Sequence, residues 1–273
     1  MKNIVTRSLS GVVYVALIVA ALLAGSYWFM GLMALFALLA MREFQMLTSG
    51  APGRSALGLL ISTVDIAAAV GLCLITYDEM TSVLFDSLIV AAYLIIRIVL
   101  ALYDKRPDAF AATGRSVLSV IYIGMPLASA ALLNSLSSPS LKLMLIIFIM
   151  IWLNDTGAYC VGSAIGRHRL FERLSPKKSW EGFWGGMAFC IGAGVACSFA
   201  LGKGTLLEWM GLGLVVCVFS TWGDLFESLM KRSLGVKDSG HLIPGHGGIL
   251  DRIDSLLLVA PACLIYSLLT GLI

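Results

Sequence analysis

Four short stretches place ionisable groups and glycines where an otherwise apolar chain gives no ordinary reason for them. The first is "STWGDLFESLMKR", residues 220–232, at the end of an apolar run. At helical spacing Ser220, Asp224, Glu227 and Lys231 fall within about 60° of arc. Asp224 lies roughly 10 Å inside the helix end marked by Lys231. A charge near the centre of a bilayer costs about 2.5–3.5 kcal/mol. Two acids on one face therefore either pair with Lys231 or Arg232 or turn to a polar cavity. The second stretch is "GHGGILDRIDSLLLV", residues 245–259. Gly245, Gly247 and Gly248 permit positive φ and close backbone approach, which suits a loop around an anion. Asp251 and Asp254 are three residues apart, on one face of a starting helix. Capping accounts for acids at such a position, but it does not call for His246 and Arg252 as well. His246 fits a loop hydrogen bond or a metal ligand.

The third stretch is "LSPKKSWEGFWGG", residues 174–186. Ser175 reads as an N-cap with Pro176 at the first helical position. A helix N-terminus beside Lys177 and Lys178 suits phosphate; ordinary basic flanking of a membrane span also explains the lysines. Glu181 precedes Gly182 and Gly186, which can form a small-residue packing face. The fourth is "IWLNDTGAYCVG", residues 151–162, where Asn154 and Asp155 are polar groups at membrane depth and Thr156 and Tyr159 can line the same cavity. Hydrogen bonding between helices explains Asn154 equally well. Carboxylates at Asp224 and Asp251 suit Mg2+, a hard cation that takes oxygen ligands and substrate phosphates. Zinc lacks its pattern. The three histidines, His168, His241 and His246, form no HExxH, and the six cysteines form no CxxC pair. Acids for a divalent cation, with Lys, Arg and helix N-termini for phosphates, are the parts of phosphoryl or nucleotidyl transfer.

The elements that must position these groups are membrane spans. The 273 residues are 59% hydrophobic and only 13% charged, with a mean hydropathy of +0.94. A soluble domain averages about 25% charged residues. The expected class is an all-α polytopic membrane protein, and no basic arm or finger suggests nucleic acid. Nine apolar windows lie near 9–25, 28–47, 56–77, 81–103, 116–134, 140–161, 183–201, 206–230 and 254–272. The first follows Lys2 and Arg7 like a signal peptide, but the spans behind it favour a retained helix. Gly25 and Ser26 make a tight hairpin between the first two. With the N-terminus inside, 17 of the 19 Lys and Arg fall on the inner side, leaving Lys142 and Lys203 outside. That asymmetry supports an odd number of spans and an outside C-terminus. Residues 1–135 read as N-terminal helices for packing, lipid access and dimer contacts, and 136–273 as the catalytic region. The chain shows no internal repeat, which counts against an inverted-repeat transporter. Asp65 and Arg97 are the best support for transport, and a packing pair explains them as well.

Taken together, "GDLFESLMKRSLGVKDSGHLIPGHGGILDRID" at 223–254, "NDTGAY" at 154–159 and "SPKKSWEG" at 175–182 resemble the phosphatidate cytidylyltransferase (CDP-diacylglycerol synthase) family, in that family's motif order. The motif-bearing resemblance covers roughly 150–260, with no departure at an ionisable motif position. It implies transfer of CMP from CTP to phosphatidic acid with Mg2+, and the number of acids leaves room for a second cation. It also implies a multi-span fold in the inner membrane of a bacterium, facing the cytoplasm, and a homodimer among membrane lipids. It further implies that Asp224 and Asp251 hold the metal and that Lys177, Lys178, Arg252 and Asp254 join them in catalysis. By the same carry-over Asp155, Ser175, Glu181, Glu227, Lys231, Arg232, Lys237, Asp238 and His246 line the substrate site. Asn154, Tyr159, Ser228, Gly245, Gly247 and Gly248 complete it. A CTP-dependent polyprenol or phytol kinase is the alternative enzyme, and an ion-coupled transporter the alternative outside enzymology.

Overall fold

The computed structural model describes residues 2–49, 55–75, 79–138, 141–240, 242–243 and 247–273. The chain forms two compact units, Met1–Leu136 with Asp238–Arg252, and Ser137–Lys237 with Ile253–Ile273.

The first unit contains α1 (Lys2–Ala24), α2 (Ser26–Ser49), α3 (Ala56–Ile75), α4 (Glu79–Tyr103), α5 (Ala109–Ser119) and α6 (Met125–Leu136). Gly25, with φ of 120°, makes the expected hairpin between α1 and α2. A π-helical turn, Val120–Gly124, joins α5 to α6. It lies just ahead of Pro126, whose ring would clash with the carbonyl of Tyr122 in an unbroken α-helix, so the widened turn has a local cause. Gly124 then lets this segment close on α3, since a Cβ there would come within 2.9 Å of the Ala69 Cα.

Asp65 on α3 and Arg97 on α4 are both buried and paired, Nε to Oδ1, at 3.7 Å. Tyr93 donates to the Asp65 carboxylate at 2.9 Å and Arg97 Nη2 to Ser116 Oγ at 3.2 Å. Removing one partner of a buried pair strands the other charge. Arg97→Met is therefore expected to destabilise the protein by about 3–5 kcal/mol, and Asp65→Leu/Arg97→Met to recover most of that loss. Thermal unfolding in detergent reads the difference, and equal losses for the single and double variants would refute it.

The second unit contains α7 (Leu143–Ile165), a two-stranded antiparallel ribbon of β1 (Arg169–Phe171) and β2 (Ser175–Ser179), α8 (Trp180–Leu201), α9 (Leu206–Ser233) and most of α10 (Leu250–Thr270). The ribbon is a departure from an all-helical chain. It also moves the expected N-cap. Ser175 opens β2, and Ser179, in extended backbone, caps α8 by accepting from Gly182 N at 3.1 Å. The reason is pairing: Arg169 aligns with Ser179 and Phe171 with Ser175, so this backbone belongs to a ladder until Trp180.

Glycines set the spacing of the helices. A Cβ on Gly182 would meet the Ala158 carbonyl at 2.8 Å, and one on Gly186 would overlap the Asn154 side chain, so the small-residue face of α8 packs on α7. Gly223 does the same between α9 and α10, where a Cβ would lie 2.6 Å from the Asp254 carbonyl. α9 begins with a capping box, Thr205 with Glu208.

Eight helical stretches are long and apolar enough to cross a membrane, Ala109–Leu136 being counted as one across the π turn. The described apolar part of α1, Leu9–Ala24, is shorter than these.

Candidate active site

The second unit holds a cavity of about 610 Å³. α7 contributes Asn154, Asp155 and Tyr159; the ribbon contributes Arg169, Ser175, Lys177 and Lys178; α9 contributes Thr221 and Asp224. Because the chain from β2 enters α8 directly, both lysines reach the cavity from an extended strand. Lys177 is exposed, while Lys178 is partly covered and its Nζ lies 2.5 Å from Asp224 Oδ2. Asn154 is buried, donates to Ser220 Oγ at 3.4 Å, and has no hydrogen-bond donor on its Oδ1 among the described residues. Tyr159 is 76% exposed, an aromatic face at the mouth.

Asp224 is also one corner of a carboxylate cluster. One oxygen each from Asp224, Glu227 and Asp254 lies within 4.8 Å of the other two. Glu227 comes from the same helix face as Asp224, as the spacing predicts. Asp254 arrives because Gly223 admits α10 close to α9. Fully buried Glu227 is bonded to Lys231 Nζ at 2.6 Å, an ion pair one turn apart on α9. Ser228 Oγ donates to Asp224 Oδ1 at 3.4 Å, and Ser255 N to Asp254 Oδ1 at 2.7 Å. Three carboxylates this close repel one another unless cations are near. Their oxygens fit the ligand preference of a hard divalent ion.

The remaining candidates are placed differently. Glu181, in the first turn of α8, accepts from Arg167 N at 3.1 Å and meets His168 Nδ1 at 2.6 Å, bracing the turn into β1. Arg232 is exposed and donates to the Val236 carbonyl at 3.2 Å, and Lys237 is exposed. Asp238, Gly247, Gly248, Asp251 and Arg252 belong to the first unit. There Gly247 has φ of +82°, the positive value its sequence context suggests. Asp251 Oδ2 collects Ser239 N and Oγ, both at 2.9 Å, and Gly248 N at 2.8 Å, so the carboxylate reaches back over the start of α10. Capping is thus one thing this residue does. Arg252 is exposed, and its carbonyl accepts from Tyr14 at 3.0 Å. Gly245 and His246 lie outside the described residues.

Sequence reasoning missed Glu43. This acid sits in the apolar run of α2, is buried, and accepts from Ile249 N at 2.8 Å and Leu250 N at 2.9 Å. Its signal was a lone acid inside a span, the kind of residue whose partner has to be sought. Arg169 and Thr221 border the cavity without having been singled out for chemistry.

The family model of the cytidylyltransferase family matches residues 5–270. The chain belongs to the cytidylyltransferase family. It is a nucleotidyltransferase. Among similar proteins, a phosphatidate cytidylyltransferase of Staphylococcus aureus (strain COL) is 33% identical over 262 residues, covering 93% of this chain and 95% of the relative. One from Bacillus subtilis (strain 168) is 33% identical over 272 residues, covering 95% of this chain and 94% of the relative. One from Staphylococcus haemolyticus (strain JCSC1435) is 32% identical over 262 residues, again covering 93% and 95%. In a cytidylyltransferase, lysines beside clustered carboxylates are what a triphosphate and its counter-charge require.

Proposed function

We propose that this member of the cytidylyltransferase family transfers the cytidylyl group from CTP to phosphatidic acid. The products are CDP-diacylglycerol and pyrophosphate, made with Mg2+ at the cytoplasmic face of a membrane. The observation that carries the reading is the contact between Lys178 and Asp224, at the edge of a three-carboxylate cluster and on the wall of the cavity. The relatives named above support the substrates.

In this reading Asp224, Glu227 and Asp254 hold Mg2+, and the family resemblance adds Asp251. When bound, the ion offsets the charge of the triphosphate and of the departing pyrophosphate. Lys177 and Lys178 donate to phosphate oxygens, Lys178 exchanging its carboxylate partner for substrate. Asn154 and Tyr159 line the same cavity as the ribbon's lysines and offer the polar and stacking contacts a nucleoside needs. A phosphate oxygen of phosphatidate attacks the α-phosphorus of CTP. The bond from that phosphorus to the bridging oxygen breaks, and pyrophosphate leaves with the electron pair. A phosphate monoester loses its second proton with a pKa near about 6, so no side chain has to act as base. Positioning and charge neutralisation supply the rate. A cytoplasmic site, with nine spans that include α1, rests on the distribution of Lys and Arg, 17 of 19 on one side.

The test separates two enzymes by the position of the label. Purified protein is given Mg2+, CTP labelled on either the α- or the γ-phosphate, and either phosphatidate or a lipid alcohol as acceptor. Cytidylyl transfer puts only the α-label into lipid, whereas a CTP-dependent lipid kinase puts in only the γ-label and needs an alcohol acceptor. Lys177→Ala and Lys178→Ala are expected to raise the KM for CTP roughly 10–100-fold, the worth of one charge-assisted hydrogen bond. Transfer of γ-label, or an unchanged KM in both variants, would sink the assignment.

A further inference from the structure

Glu43 is a buried acid with no ordinary reason to be there. It sits on α2, 8% exposed, more than 190 residues away in sequence from the groups it binds. Its two oxygens take different donors: Oε1 accepts from Ile249 N at 2.8 Å, and Oε2 from Leu250 N at 2.9 Å and Ser239 Oγ at 3.2 Å. Among the described residues its partners are amides and a hydroxyl, with no lysine or arginine among them. The two amides are the unsatisfied donors at the start of α10, where a negative charge is most favourable. The backbone is shaped to admit the acid. A Cβ on Gly240 would come within 3.0 Å of Glu43 Oε1, and one on Gly248 would overlap its other oxygen. Glu43 and Asp251 also share a donor, since Ser239 Oγ reaches an oxygen of each.

We infer that Glu43 is a positioning residue: it holds Ser239, Gly248 and the first turn of α10 so that Asp251 and Arg252 are presented in one arrangement. The inference rests on the proposed function, in which Asp251 belongs to the site. Glu43 does not touch substrate. It acts by tying Ser239 and Gly248 to the start of α10. Alternatives to a carboxylate are poor. Glutamine keeps the shape but turns an N–H toward an N–H, and aspartate is one methylene too short to reach both amides from α2.

The experiment uses the full chain in detergent, with Glu43→Gln, Glu43→Asp, Asp251→Asn and the Glu43→Gln/Asp251→Asn double variant. Turnover is normalised to the CTP-binding fraction, so loss of folded protein does not count. Glu43→Gln is expected to lower kcat roughly 10–100-fold with the KM for CTP changed less than threefold, as removal of one or two charge-assisted bonds implies. Amide exchange should rise in peptides covering 239–250 and stay unchanged in α7 and α8. In the double variant the Glu43 effect should vanish, because the group it positions is already disabled. If Asp251→Asn is inactive while Glu43→Gln keeps wild-type kcat and exchange, the positioning role is wrong. The same holds if the two substitutions act additively. If Asp251→Asn itself keeps full turnover, the placement of Asp251 in the site falls instead.

Discussion

Asp224→Asn is expected to lower the rate of CDP-diacylglycerol formation at least about 10²-fold and to shift the Mg2+ needed for half-maximal rate upward. Electrostatic contributions aimed at developing charge are commonly worth about 10²–10³ in kcat, and Asp224 serves two such groups. It is a corner of the cluster with Glu227 and Asp254, and it is the partner of Lys178 at 2.5 Å. These duties are separable. If the aspartate worked only by restraining the lysine, Lys178→Met/Asp224→Asn would be no more impaired than Lys178→Met alone. If it is a ligand, the double variant stays at least as impaired as Asp224→Asn, and added Mg2+ restores part of the rate only where a carboxylate remains, as in Asp224→Glu. Near wild-type turnover of Asp224→Asn at limiting Mg2+ would remove the residue from the metal set. Because Asp224 is half-buried beside a buried Glu227, losing one negative charge should not unfold the helix. Thermal unfolding run in parallel checks that the loss is chemical.

Gly186→Ala should be nearly as damaging by a different route. The new methyl would overlap Asn154 Oδ1 and lie 2.9 Å from the Asn154 carbonyl, and a backbone atom cannot yield without separating α7 from α8. Overpacking costs about 1–3 kcal/mol in general, and the upper end applies here because the neighbour is main chain. Asn154 is both the obstacle and a lining residue of the cavity. The variant should therefore unfold at lower temperature and also turn over at least about tenfold more slowly where still folded, since small displacements at a site are expensive. Gly192→Ala is the control. Nothing lies within 4 Å of a Cβ there, so the same substitution should leave activity unchanged and favour the helix by up to about 1 kcal/mol. Equal melting temperatures for the two variants would show that close approach at Gly186 is not what limits it.

Residues one or two helical turns apart were legible because their geometry is local. The shared face of Asp224, Glu227 and Lys231, the Gly25 hairpin and the packing face of Gly182 and Gly186 all follow from 3.6 residues per turn and the absence of a side chain. The apolar windows are legible for the same reason: among the described residues they overlie helices, the fifth running across the π turn between α5 and α6, and eight helical stretches are long enough to span. The start of α8 was not legible. Ser175 and Ser179 are equally good caps by type, and what separates them is a ladder to Arg169 and Phe171. A strand partner is not written into the residues that receive it.

The sequence by itself determined the class of chemistry: a membrane chain with acids, lysines and glycines at helix mouths, in an order that resembles one family. That much survives because composition and motif order do not depend on how helices pack. Only the tertiary structure decided which groups meet. It joined Asp254 to Asp224 and Glu227 through the missing side chain of Gly223, and Lys178 to Asp224 through a strand. It also spent a buried Glu43 on the amides of Ile249 and Leu250. The physical reason is common to all three. A buried charge or an unsatisfied amide must find a partner within about 3 Å, and that partner is set by helix packing across the chain, which spacing along it does not reveal.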